Sequence, residues 1–232
     1  MLDFTGRHFT KFLILQALRW YLSYPLSYRH VEELMKDRGV NVDHSTINRW
    51  VIRYAKDLEA TFSKKFRKYG SYISWKMDET YLKHKGKDIY LYRAIDKCGD
   101  TLEFMVSAKR DEESARKFFK KIIGKHGLPD KVNVDKSGAN EAALLSINIF
   151  LFMLGIWYTH GIEIRQNKYL NNLIEQDHRN IKRLTRPMLG FKSWESMEST
   201  IAGYELVNMI KKGQHNNAGN MTVLDQFYDI AA

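Results

Sequence analysis

Cysteine is almost missing from this chain: Cys98 is the single thiol in 232 residues. One thiol can neither close an intramolecular disulfide nor supply a cysteine zinc cluster, a composition that fits a reducing cytoplasm. Long apolar runs are missing as well. FLILQALRWYL is interrupted by Gln16 and Arg19, and Ile149 to Tyr158 gives only ten consecutive non-polar residues. A membrane-spanning helix needs roughly 18, so both stretches read as core helices and no membrane partner is expected. No P-loop glycine string, no Ser-His-Asp order and no Cys/His zinc spacing occurs. Negative charge is scarce too: 27 acids face 37 Lys and Arg, a net +10. An acidic polymer, nucleic acid first, is the partner such a balance suggests.

What remains is 44% apolar residues, enough for one good-sized domain plus a small one. Residues 9 to 22 carry apolar side chains around most of a helix, and Pro25 stops it. Ser27 then suits an N-cap, Val31, Leu34 and Met35 recur at i, i+3, i+4, and Gly39 stands where a C′ glycine belongs. Asp43 can cap a second helix whose Ile47, Trp50, Val51 and Tyr54 form an apolar stripe, while Ser45, Asn48, Arg49 and Arg53 point outward. This spacing predicts a helix-turn-helix, with 44 to 55 as the recognition helix; a plain helical hairpin has the same pattern. The expected division is a helical DNA-binding region over 1–62, a basic linker over 63–71, a core over 72–190 and a C-terminal helical segment over 191–232 that packs on the core.

From Tyr72 the period changes from helical to two. Ile73, Trp75 and Met77 share one strand face, and Ser74, Lys76 and Asp78 share the other, with Asp78 ending the alternation. Ile89 to Ile95 and Leu102 to Val106 read as two further strands around the turn at Asp96 to Asp100. An amphipathic helix over Ala115 to Ile123 ends at Gly124 to Pro129, and Lys131 to Asp135 is a further strand. The order βββαβα, with one more helix, predicts an α/β fold with a mixed sheet flanked by helices.

Three acids stand in settings that suit metal ligands: Asp78, Asp135, and Glu175 near the start of a helix that Asn171 or Asn172 can cap. Carboxylates so far apart in sequence converge only if a central sheet gathers them. Three, four and seven residues on from Glu175 the same face carries His178, Arg179 and Lys182, and Lys168 extends the positive strip, where a DNA phosphate could lie; a solvated basic face is the alternative.

The strings WKMDETYLKHKGKDIYLYRAIDKCGDTLEFMVSAKRD, VNVDKSGAN and KYLNNLIEQDHRNIKRLTRPMLGFKSWES, with RWYLSYPLSYRHVEELMKDRGVNVDHSTINRWVIRYA before them, cover nearly the whole chain. In these the chain resembles the DDE transposases of bacterial insertion sequences, and among them insertion-sequence family six. The resemblance implies an RNase H-like core behind a helix-turn-helix, a catalytic and metal-binding triad at Asp78, Asp135 and Glu175, and two Mg²⁺ ions with Mn²⁺ as a substitute. It further implies transposon ends and target DNA as substrates, a homodimer or higher homo-oligomer, and a bacterial cytoplasm at the nucleoid. One departure stands out. The interval from Asp135 to Glu175 holds 39 residues, longer than the family pattern, with the extra length around Ile147 to Gly161. That keeps a catalytically inactive transposase remnant beside the active enzyme, and a helix-turn-helix regulator remains the reading from a different class.

Overall fold

The computed structural model describes residues 3–231 except 7, 69–72, 137, 156–160 and 168–170. It divides into two compact units, Met1–Tyr69 with Ile181–Ala232, and Gly70–Asn180.

The first unit is helical. Helices α1 (Lys11–Ser23), α2 (Tyr28–Lys36) and α3 (His44–Thr61) follow in order. Ser27 caps α2, its hydroxyl accepting from His30 N at 3.1 Å. Asp43 caps α3 by accepting from Ser45 N at 2.7 Å. Gly39, at φ +74, makes the left-handed turn between them that a side chain would strain. Helix α3 runs a turn and a half beyond residue 55, because Leu58 extends its buried stripe of Ile47, Trp50, Val51 and Tyr54. The chain does not become a free linker there. Phe62–Phe66 continues as a π-helical turn with Phe62 buried, Arg67 bridges to His215, and Lys68 N donates to Gln214 O at 2.7 Å. The rest of the expected linker lies outside the described residues.

The C-terminal segment belongs to this same helical unit. The helix that follows residue 193 buries its surface from Ser199 to Ile210 without a break and packs chiefly on α3 within that unit. A helix apolar nearly all round must be covered on every side. Its Gly203 lets α1 approach closely: a Cβ there would stand 2.5 Å from Leu22 Cδ2.

The second unit holds a five-stranded sheet in the order β3-β2-β1-β4-β5. Its strands are β1 (Ser74–His84), β2 (Lys87–Asp96), β3 (Thr101–Ser107), β4 (Lys131–Asn133) and β5 (Glu163–Arg165). The first three form an antiparallel meander, and β4 and β5 join in parallel. Strand β5 was not foreseen, since three residues are too few for a period to register. Helix α4 (Glu112–His126) and helix α5 (Gly138–Met153) cover one face, where Trp75, Met77, Tyr92, Leu102, Phe118, Phe119, Val132 and Leu144 make the core. Helix α6 (Asn172–Thr185) begins in this unit; α7 (Trp194–Lys211) and α8 (Val223–Ile230) complete the helical one. Among the described residues no helix is long and apolar enough to cross a membrane.

Candidate active site

Asp78 lies in the middle of β1 rather than at its end. Residues 74 to 78 alternate as the period requires, so Asp78 faces away from Trp75 and Met77, directly across from Arg93 on β2. The parallel pairing of β1 with β4 stops at Lys76 and Asn133, so β4 has already released the chain when it reaches Asp135. That early end is what lets Asp135 turn toward β1. One carboxylate oxygen each from Asp78, Glu79 and Asp135 lies within 4.8 Å of the others.

Glu79 is the acid that the sequence reading passed over. It is buried, and burial pushes its carboxyl above the usual range; the Arg110 guanidinium opposes this, while the Asp135 and Asp78 carboxylates add to it. Arg110, between β3 and α4, donates from Nη2 to Asp135 Oδ2 at 2.7 Å and to Glu79 Oε2 at 3.3 Å. Asn140 Nδ2 donates to the other Asp135 oxygen at 3.1 Å. Among the described residues, Glu79 Oε1 is buried with no hydrogen-bond partner. Three convergent carboxylates, one with an unsatisfied buried oxygen, form the donor set that a hard divalent cation selects. No sequence signal marked Glu79: two adjacent acids in a strand face opposite ways, and only the early end of the β1–β4 pairing lets both flank one site.

Helix α6 is fixed to the Asp78 face by a buried polar chain. Arg93, fully buried, donates from Nη2 to Asp177 Oδ2 at 2.6 Å, and its Nη1 lies 3.3 Å from His178 Nδ1. Arginine can only donate, so Nδ1 accepts; the proton of a neutral His178 therefore sits on Nε2, which lies 3.2 Å from Asp78 Oδ2. The imidazole thereby orients the carboxylate from behind, a relation common in metal sites. Asn133 on β4 holds the entry to α6, hydrogen-bonding Asn171 Oδ1 through its Nδ2 and accepting from Asn167 N at 3.3 Å. Glu175 is exposed one turn before His178 on this helix. Its carboxylate is not among the three that converge, so the structure gathers Asp78 and Asp135 without Glu175.

The candidate DNA contacts divide. His178 is 3% exposed and engaged on both ring nitrogens, so it orients Asp78 rather than meeting a phosphate, as the sequence had suggested. Arg179 is exposed and Lys182 half-buried on the same helix, and Lys168 lies outside the described residues. In the helical unit Ser45, Arg49 and Arg53 are exposed on α3. The Ser45 hydroxyl is turned back to Asp43, Arg49 donates to Thr46 Oγ1 at 2.8 Å, and the Arg53 guanidinium stands 5.6 Å from the Tyr54 ring centroid. Asn48 is half-buried and lines a cavity of about 490 Å³ with Ile52, Tyr28 and Phe191.

Comparison with known proteins gives this arrangement a lineage. Residues 72–214 match the DDE domain of the IS240-type transposases, and residues 9–128 match the IS66 transposase family. The transposase for insertion sequence-like element IS431mec of Staphylococcus aureus is 42% identical over 211 residues, 90% of this chain and 88% of that protein. The Staphylococcus aureus transposase for insertion sequence element IS257 in transposon Tn4003 matches equally well. Among solved structures, the HTLV-2 integrase catalytic core domain in complex with magnesium, in its trimeric form, aligns with a TM-score of 0.45 at 19% identity, covering 65% of this chain and 97% of that one. The simian T-cell lymphotropic virus intasome aligns with a TM-score of 0.42 at 15% identity, over 59% of this chain and 49% of that one. The matched families carry other numbers than family six, but their common ground is the one that the acid-bearing mixed sheet already indicated: the chain belongs to the DDE transposases of bacterial insertion sequences, with an RNase H-like catalytic fold.

Proposed function

We propose that this transposase binds the terminal inverted repeats of its own element through α2 and α3, exposes 3′ hydroxyls at the element's ends, and joins them to target DNA. Membership in the family makes it a metal-dependent enzyme of DNA cleavage and transfer. The observation that carries the finer reading is the convergence of Asp78 on β1 and Asp135 just after β4, oriented by His178 and Arg110.

Asp78 and Asp135, with Glu175 from α6, are the proposed metal ligands and catalytic acids. Two Mg²⁺ ions, or Mn²⁺ in their place, would supply Lewis acidity on both the attacking and the leaving oxygen of a phosphodiester. The protein's own residues do the rest. His178 and Arg93 hold Asp78 in one orientation, Asn140 and Arg110 hold Asp135, and Arg110 adds a fixed positive charge where a phosphate would enter. Arg179 and Lys182 place further positive charge along α6, suited to the DNA backbone. On α3, Arg49 suits a base edge and Arg53, a turn later, a phosphate.

The test is incubation of the purified chain with a labelled duplex carrying an end of its element. Mg²⁺-dependent nicking at the repeat boundary, leaving a 3′ hydroxyl, is the expected result. Binding with no nicking in Mg²⁺ or Mn²⁺ would reduce the chain to a DNA-binding remnant.

A further inference from the structure

Helix α5 buries one side against the sheet and leaves an equally apolar side uncovered. Asn140, Ala143, Leu144, Ile147 and Leu151 face inward. On the outer side Leu145 is 48% exposed, Ile149 62% and Met153 77%, in line with the half-buried Ala142. These four recur at i, i+3, i+7 and i+11, the spacing of a seam against another helix. Phe150 and Leu154, at 59% and 55% exposed, widen it. Together these side chains present on the order of 500 Å² of apolar surface, at the upper end of what a lone soluble chain leaves bare.

Charge says what covers it. The chain is 28% charged, yet from Gly138 to Ile162 its sole charged residue is Glu141. A surface without Lys or Arg cannot serve the phosphate backbone that the rest of this cationic protein suits. It is, conversely, a place where two copies of a +10 chain can meet without mutual repulsion. A helical seam is also self-complementary about a two-fold axis, each copy supplying what the other needs. The exposed area is most of the roughly 800 Å² per partner of a standard interface.

We propose that the Leu145, Ile149 and Met153 face of α5 is a homodimer interface, in which this helix packs against the same helix of a second copy. The proposal does not rest on the catalytic assignment, because the contact forms without DNA or metal. Ile149 lies near the middle of the seam and therefore close to the dyad.

Sedimentation velocity of the full chain, free of DNA, should show a dimer. Ile149→Glu should raise the dimer dissociation constant by about 100-fold or more, since two unpaired carboxylates would enter an apolar contact, with the far-UV circular dichroism unchanged because Ile149 is exposed on the single chain. In a Cys98→Ser background, Ile149→Cys should form a disulfide-linked dimer on mild oxidation, whereas Lys120→Cys on the exposed side of α4 should not. A wild-type chain that stays monomeric at tens of micromolar, or a dimer indifferent to Ile149→Glu, overturns the proposal. Should the glutamate variant fail to fold, the cysteine pair decides: crosslinking at Ile149→Cys no greater than at Lys120→Cys is equally fatal.

Discussion

Replacing Arg93 by methionine keeps the length and apolar stem of the side chain and removes only its guanidinium. In the wild-type protein that group is fully buried, 2.6 Å from an Asp177 carboxylate whose side chain is 8% exposed. The substitution would leave Asp177 charged, nearly dry and stripped of that counter-ion, a situation that costs about 3–5 kcal/mol. For a chain of this size each kcal/mol moves the melting temperature by about 2–4 °C, so the expected drop is roughly 6–20 °C. Asp177→Leu alone should be costly for the converse reason. The double variant Arg93→Met with Asp177→Leu removes both charges together and should recover much of the loss, a coupling of about 2 kcal/mol or more. Urea melts of the four proteins, compared at equal m-value, measure this directly. The same melts can be paired with DNA cleavage, because Arg93 also holds His178 behind Asp78. The double variant should therefore be stable yet slow. A cost below 1 kcal/mol for Arg93→Met, with no coupling, would mean that water reaches Asp177 and that this chain does not dock α6.

Three further outcomes follow from other parts of the structure. Gly203→Ala should gain about 1 kcal/mol of helix propensity yet lose more to overpacking against Leu22, for a net destabilisation of about 1–2 kcal/mol in thermal melts; a stabilised variant would show that α1 and α7 do not pack this closely. Burial is the largest influence on Glu103 and pushes its carboxyl up, but Lys121 at 3.0 Å and Lys125 at 2.5 Å together bring it below the usual range. The sign follows: a depressed folded value gives stability that is present above the unfolded carboxyl range and lost as pH falls through the folded value, so Glu103→Gln should flatten the stability curve below about pH 4.5, and an unchanged acid limb would contradict the pairing. Arg49→Ala should reduce the preference for the element's end over scrambled duplex by about 1–3 kcal/mol, whereas Arg53→Ala should weaken both alike and flatten the salt dependence; equal losses for Arg49→Ala would remove it from base readout.

Much of this is legible in the sequence. Ser27, Gly39 and Asp43 act through local backbone chemistry, so their roles could be read from neighbours two or three residues away. The strand period likewise placed Asp78 opposite Trp75 and Met77. What escaped depends on distant partners. Nothing in SWKMDET says that β4 will stop pairing at Asn133, which is what draws Glu79 and Arg110 into the cluster. His178 shares a helix face with Arg179 and Lys182 by spacing, and only its contacts with Arg93 and Asp78 distinguish a buried orienting group from a phosphate contact. The C-terminal helix is a case of the same kind: an all-round apolar helix announces that it is buried, not against what.

The central claim is that Asp78, Asp135 and Glu175 act together in DNA cleavage while end recognition resides elsewhere. The measurement is strand cleavage in Mg²⁺ on a labelled end duplex by the wild type, Asp78→Asn, Asp135→Asn and Glu175→Gln, with affinity for the same duplex taken in parallel. Each variant should lose about a thousandfold or more in cleavage rate, because removing a ligand charge disables the metals, and should keep its affinity within a few-fold, because binding is carried by cationic contacts. Cleavage at the wild-type rate by any one of the three would contradict the account.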